Sequence, residues 1–218
     1  MPTPARRPLK TRGTAWAGAL ARALVRARVA PNTISVASML FASLGAAALL
    51  GAAAAGPGAR GSLFVLAAVC VQLRLLANML DGMVALEGGL GGPDGPVFNE
   101  LPDRIADPLL IVPAGYACGL AWSVELAWTA GLLALLTAYI RCQCAALGVA
   151  EDFRGPMAKP HRMAALTLGL LLAAALIPAG WDGQVLMLTL LVLVLGTAWT
   201  AARRAWRLIA TLRAGPGA

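Results

Sequence analysis

Residues 74–107 read RLLANMLDGMVALEGGLGGPDGPVFNELPDRIAD, and this stretch places polar side chains at the ends of two apolar segments. Asn78 and Asp81 are three residues apart, so they share one face of a helix. The next segment has three polar side chains at intervals of four residues, which also share one face: Asn99, Asp103 and Asp107. If the two segments are neighbouring antiparallel helices, these faces can point at each other.

The composition of the whole chain indicates a membrane protein. The 218 residues are 59% hydrophobic and 13% charged, whereas soluble domains average about 25% charged residues. This excludes a disordered chain, a collagen and an ordinary soluble domain. The net charge of +8 would suggest nucleic acid in a soluble protein. Here the basic residues flank apolar runs, so we expect them to anchor the chain at the cytoplasmic membrane surface, with no nucleic-acid partner.

Six apolar segments approach the roughly 20 residues that a helix needs to cross a bilayer. They are residues 33–55, 62–84, 97–120, 122–147, 163–179 and 184–202. The sequence therefore predicts an all-α membrane protein with six transmembrane helices. The Gly-Pro-Gly at 56–58 and the Pro-Ala-Gly at 178–180 are predicted to be external turns.

The distribution of basic residues predicts the topology. Seven precede the first segment, three lie between the fourth and fifth, and four follow the sixth, while the opposite loops hold only Arg60. The positive-inside rule then places both termini in the cytoplasm. Residues 14–29 combine apolar residues at helical spacing with arginines, which predicts an amphipathic interfacial helix, with a solvated basic tail as the alternative.

The carboxylates within the apolar segments need compensation. Each costs about 2.5–3.5 kcal/mol near the bilayer centre on insertion scales. Asp81, Asp103 and Asp107 would also repel one another unless a proton or cation lies between them. Oxygen ligands at this density suit Mg²⁺ or Mn²⁺. The alternative is a buried acid–base pairing with Arg74 or Arg104.

The same stretch resembles the signature of the CDP-alcohol phosphatidyltransferases, D-x2-D-G-x2-A-R-x8-G-x3-D-x3-D. Every spacing matches, and five specified residues match in identity: Asp81, Gly82, Ala85, Gly95 and Asp103. Three positions depart from it, since Asn78 and Asn99 replace the first and third acids and Leu86 replaces the arginine. With six crossings, Asn32 at the entry to the first helix and Arg141 at the end of the fourth, the resemblance covers nearly the whole chain.

The resemblance implies an enzyme of phospholipid biosynthesis. Such an enzyme moves a phosphatidyl group from a CDP-linked lipid, usually CDP-diacylglycerol, to a small alcohol or phosphorylated alcohol and releases CMP. It implies Mg²⁺ or Mn²⁺ as cofactor, with these ligands: Asn78, Asp81, Asn99, Asp103 and Asp107. Asp103 is the expected general base, and Asp107 is the second candidate. Because two acids are asparagines, the site either binds one ion well and a second weakly, or Asp107 restores a ligand.

The resemblance also implies two binding regions. The residues expected at the CDP donor are Asn32, Gly82, Ala85 and Gly95. The residues expected at the acceptor are Arg141, Lys159, His161 and Arg162, because arginine forks suit a phosphate. For Lys159 the alternative is cytoplasmic anchoring, and for His161 it is an ordinary solvated role.

The resulting organisation is a basic segment at 1–30 with the interfacial helix, a six-helix phosphatidyltransferase domain at 31–210 and a tail at 211–218. We expect a multi-pass protein of the bacterial inner membrane, in contact with membrane lipids, with its active site facing the cytoplasm. We also expect the protein to form a homodimer.

Two other functions fit the residues. One is a catalytically degenerate partner subunit, and the other is an ion-coupled transporter that uses the aspartates, although no internal repeat supports transport.

Overall fold

The computed structural model describes residues 14–89, 92 and 95–214, without the side chains of Pro96 and Asn99. These residues form seven α-helices and no β-strand, which confirms the predicted all-α class. The helices are α1 (Ala15–Arg26), α2 (Pro31–Ala54), α3 (Pro57–Glu87), α4 (Gly95–Cys118), α5 (Ser123–Ala146), α6 (Lys159–Leu176) and α7 (Asp182–Ala214). A 3₁₀ turn, Ile177–Ala179, follows α6.

Five of these helices are long and apolar enough to cross a membrane: α2, α3, α5, α6 with its 3₁₀ turn, and α7. Helix α4 has 24 residues, the same length as α2 and α5. Its composition sets it apart, because it carries the charged residues of the 95–107 stretch. Each of the six predicted apolar segments is therefore largely helical, and α4 carries the second half of the polar motif.

The ends of the helices correct one expected turn. Pro57 begins α3, with Gly56 as the preceding cap residue, whereas the sequence predicted an external turn across 56–58. A proline at the first helical position costs nothing, because the amide hydrogen that it lacks has no partner within the helix there. The other predicted turn is confirmed, since Gly180 adopts a left-handed φ of 69° after the 3₁₀ turn.

The six long helices form a closed ring. In order around the ring, α2 packs on α3, α3 on α6, α6 on α7, α7 on α5, α5 on α4 and α4 on α2. Small residues allow this close approach, as is common for helices in lipid. A Cβ added to Gly169 of α6 would lie 2.2 Å from the Thr189 hydroxyl oxygen of α7. The ring therefore has a tightly packed interior, and the polar motif of α3 and α4 has to be accommodated within it.

One arginine joins four helices at the end of the ring opposite the polar motif. Arg60, in the first turn of α3, binds Asp182 of α7 at 2.7 Å through its Nε. Its other two nitrogens donate to the carbonyl oxygens of Ala52 in α2 at 3.0 Å and of Ala117 in α4. At 1.5 Å per residue, Arg60 and Asp81 lie about 30 Å apart along α3.

The predicted N-terminal amphipathic segment is helical as α1. Ala17 and Ala21 are buried, while Trp16 and Leu20 are 52% and 37% exposed. Helix α1 packs against α3 and shares a buried cluster with residues such as Met83. Small residues thus face the protein, and large apolar residues face outwards. The placement of this helix at a membrane surface stays a prediction.

Candidate active site

The cytoplasmic ends of α3 and α4, as the sequence predicts them, meet the first turn of α6 in a buried polar cluster. Its acidic members are Asp81, Asp103 and Asp107, which are 3%, 8% and 2% exposed. Its basic members are Arg74, Lys159 and Arg162. We call these six residues the carboxylate cluster. The structure thus brings together the two faces that the sequence predicted to point at each other.

Asp81 is held by neutral donors. The hydroxyl of Ser35, in α2, donates to one of its carboxylate oxygens at 2.8 Å, and the backbone N–H of Gly82 contacts the other. Asn78, one turn before Asp81 on α3, contacts Lys159, which pairs with Asp103, so Asp81 and Asp103 belong to the same site. Ser35 is not among the predicted site residues, although a polar residue within an apolar helix is a usable signal.

Arg74 joins Asp103 and Asp107, two of the acids of α4. Its Nη2 lies 2.9 Å from an oxygen of Asp103 and 2.9 Å from an oxygen of Asp107, and its side chain is fully buried. This is the acid–base pairing that the sequence left open as an alternative, and the partner is Arg74. The other candidate, Arg104, pairs with Glu100 instead. A guanidinium in this position stabilises carboxylates that burial would otherwise disfavour.

Two further basic residues complete the cluster from α6. Arg162 donates to Asp107 at 3.0 Å and to the Met157 carbonyl oxygen at 3.0 Å. The ammonium of Lys159 donates to the side-chain oxygen of Asn78 at 2.9 Å and forms an ion pair with Asp103. Both residues were predicted to bind the acceptor, and both lie against the acids.

The oxygen donors of the carboxylate cluster and its neighbour Asn78 are of the chemical type that divalent cations prefer. Asn78, Asp81 and Asp103 offer amide and carboxylate oxygens around Lys159, which are hard ligands of the kind that Mg²⁺ and Mn²⁺ prefer. Among the described residues, no group of three acidic, histidine or cysteine side chains is arranged to hold a metal. Asp107 faces Arg74 and Arg162, and the side chain of Asn99 lies outside the described part of the structure.

The predicted donor residues lie in the first turn of α2, near the end of α3 and at the start of α4. Gly82 follows Asp81 directly, and Ala85 is one turn further along α3. Asn32 is in the first turn of α2, one turn before Ser35. A Cβ built on Gly95, at the start of α4, would meet no atom of the described residues within 4 Å. Leu86, which replaces the motif arginine, is 65% exposed.

Arg141 belongs to a separate group of charges. It binds Glu100 of α4 and lies 3.2 Å from Glu151, with its guanidinium 5.3 Å from the ring centroid of Phe153. Two carboxylates and a cation–π contact therefore already engage the residue that was expected to bind an acceptor phosphate. His161, the remaining residue predicted for the acceptor, is exposed at the start of α6.

No protein-family model matches the chain. One curated relative and two solved structures, however, are similar to it and have the same name. The phosphatidylinositol phosphate synthase of Mycolicibacterium smegmatis is 28% identical over 154 residues, which cover 69% of this chain and 65% of the length of that curated relative. A crystal structure of the phosphatidylinositol phosphate synthase of Mycobacterium tuberculosis with CDP-DAG bound has a TM-score of 0.72 at 20% identity, covering 89% of this chain and 94% of that one.

A second crystal structure of the Mycobacterium tuberculosis enzyme, in complex with manganese and citrate, also has a TM-score of 0.72, at 21% identity, covering 88% of each chain. The chain has the fold of the phosphatidylinositol phosphate synthases. These enzymes are CDP-alcohol phosphatidyltransferases, so the resemblance predicted from the sequence is confirmed. The role of each individual motif position stays a prediction.

Proposed function

We propose that this protein is an integral membrane phosphatidyltransferase that moves a phosphatidyl group from CDP-diacylglycerol to an alcohol and releases CMP. The observation that carries the proposal is the carboxylate cluster, in which Asp81 of α3 and Asp103 of α4 lie in one buried site. The relative from Mycolicibacterium smegmatis and the neighbour with CDP-DAG bound support the same reaction class.

The proposed setting is a bacterial inner membrane. We place α4 as a sixth crossing beside the five apolar helices, because it completes the ring and its charges are largely compensated inside the ring. Both termini and the carboxylate cluster would then face the cytoplasm, where a nucleotide donor is available. Helix α1 would lie in the interface with Trp16 and Leu20 towards the lipid, and the protein would act as a homodimer.

The proposed reaction is an in-line displacement at the phosphorus that bears the lipid. The acceptor hydroxyl oxygen forms a bond to that phosphorus, the bond to the bridging oxygen of the diphosphate breaks, and CMP leaves with the electron pair. Asp103 takes the proton of the acceptor hydroxyl. Arg74 lies 2.9 Å from one carboxylate oxygen of Asp103, and the other oxygen faces Lys159. Asn78, Asp81 and Asp103 would hold a divalent cation, which would neutralise the charge of the diphosphate.

The acceptor is proposed to enter from the side of α6. Arg162 and Lys159 lie against Asp107 and Asp103, and exposed His161 lies in the same turn. Arg141 would reach an acceptor phosphate only by leaving Glu100 and Glu151.

The direct test is CMP release by the purified chain, with CDP-diacylglycerol, Mg²⁺ or Mn²⁺, and a panel of alcohols and phosphorylated alcohols. The lipid product is then identified by mass spectrometry. Release with at least one acceptor is expected. No release with any acceptor would favour a degenerate partner subunit, and ion flux in liposomes would favour a transporter.

A substitution then tests the base. Asp103→Asn keeps a side chain of the same size but removes the proton acceptor, so turnover should fall by at least about 10²-fold. Asp182→Asn is the matched control, because Asp182 lies at the opposite end of the ring beside Arg60. If Asp103→Asn keeps its activity and Asp107→Asn loses it, Asp107 is the base.

A further inference from the structure

The charges of the carboxylate cluster balance. The cluster holds three acids, Asp81, Asp103 and Asp107, and the same number of bases: Arg74, Lys159 and Arg162. Arg74 and Arg162 both pair with Asp107, and Arg74 also pairs with one oxygen of Asp103. Without the ammonium of Lys159, the cluster would carry one net negative charge. With it, the described side chains of the cluster offer no net charge to an incoming cation.

Lys159 also occupies the atoms that a cation would need. Its Nζ lies 2.9 Å from the side-chain oxygen of Asn78 and pairs with the second oxygen of Asp103. Both residues belong to the proposed ligand set. Lys159 is the first residue of α6, so its backbone is fixed by a helix of the ring while its long side chain reaches into the site.

A dication that entered this neutral cluster alone would leave two uncompensated positive charges in a buried setting, which is strongly unfavourable. The diphosphate of a CDP-linked lipid carries one negative charge on each phosphate, and it would restore the balance. We propose that Lys159 prevents the free protein from binding a divalent cation, so that the cation and the donor's diphosphate bind together. This inference rests on the proposed function for the identity of the donor.

The experiment is equilibrium dialysis of Mn²⁺ against the detergent-purified full chain, with protein-bound Mn²⁺ measured by electron paramagnetic resonance. The wild-type chain should bind Mn²⁺ at least tenfold more tightly when CDP is present, a difference of about 1.4 kcal/mol. Lys159→Met should bind Mn²⁺ at least tenfold more tightly than wild type in the absence of CDP. Lys159→Arg is the matched control, because it keeps the positive charge and should bind Mn²⁺ with the affinity of the wild-type chain.

Lys159→Gln provides a second test, since it removes the charge but keeps a hydrogen-bond donor for Asn78 and Asp103. It should bind Mn²⁺ without CDP as Lys159→Met does. The inference is overturned if neither neutral variant binds Mn²⁺ more tightly than Lys159→Arg, or if CDP leaves the wild-type affinity unchanged while the chain binds CDP. A chain that fails to bind CDP at all refutes the proposed function, and the comparison of Lys159 variants without CDP still decides the role of Lys159.

Discussion

Removal of Arg74 should destabilise the protein more than removal of any exposed arginine. Arg74→Met keeps the length of the side chain but leaves Asp103 and Asp107 without their shared partner. The cluster then holds three acids and two bases, with one uncompensated negative charge in a fully buried position. Breaking a buried ion pair on one side costs about 3–5 kcal/mol, and we expect a loss of free energy of unfolding in this range.

Reversible SDS titration, followed by circular dichroism, measures that free energy. Arg154→Met is the matched control, because the Arg154 side chain is 73% exposed in its pair with Asp152, and exposed pairs contribute about 0.2–1 kcal/mol. The double variant Arg74→Met/Asp107→Asn removes one acid and should recover part of the loss. If Arg74→Met costs no more than Arg154→Met, Arg74 does not carry the compensation described here.

Two further predictions concern packing and pH. Gly169→Val should cost about 1–3 kcal/mol because its Cβ would collide with Thr189, whereas Gly58→Ala, which meets open space, should cost less; unfolding in SDS measures both. Burial alone would raise the pKa of Asp152, but hydrogen bonds from the Arg154 backbone and side chain and from Arg207 lower it below 3.8. Asp152 therefore stabilises the fold above that pH and loses this effect as the pH falls through its lowered pKa. Asp152→Asn should reduce the fall in the free energy of unfolding at acid pH, and an unchanged fall would contradict this.

The helices could be predicted from the sequence because apolar length is a local property. Each predicted segment lies largely within one helix of the structure. The ends were less predictable, as α3 begins five residues before its predicted segment, at Pro57, and α7 continues twelve residues past its own, to Ala214. A charged or small residue lowers hydropathy without interrupting the backbone hydrogen bonds of a helix, so hydropathy underestimates helix length.

The candidate site was predictable in its acids but not in their partners. The spacing of Asp81 and Asp103 follows from helix geometry. The contacts of Ser35 with Asp81 and of Arg162 with Asp107 join residues 46 and 55 positions apart, and no local pattern determines which distant side chain fills such a position. The same holds for Arg141, whose position at the end of α5 was predicted as phosphate-binding without any sign of its carboxylate partners.

The contacts of Arg60 have a mechanical consequence. Because Arg60 joins α2, α3, α4 and α7 at the end of the bundle opposite the carboxylate cluster, we expect these helices to separate more readily at the other end, by pivoting about Arg60. A small angular change there becomes a displacement of several ångströms at Asp81, about 30 Å away. The bundle is thus expected to open at the end that holds the carboxylate cluster, where an acyl chain of the proposed lipid donor would enter from the side.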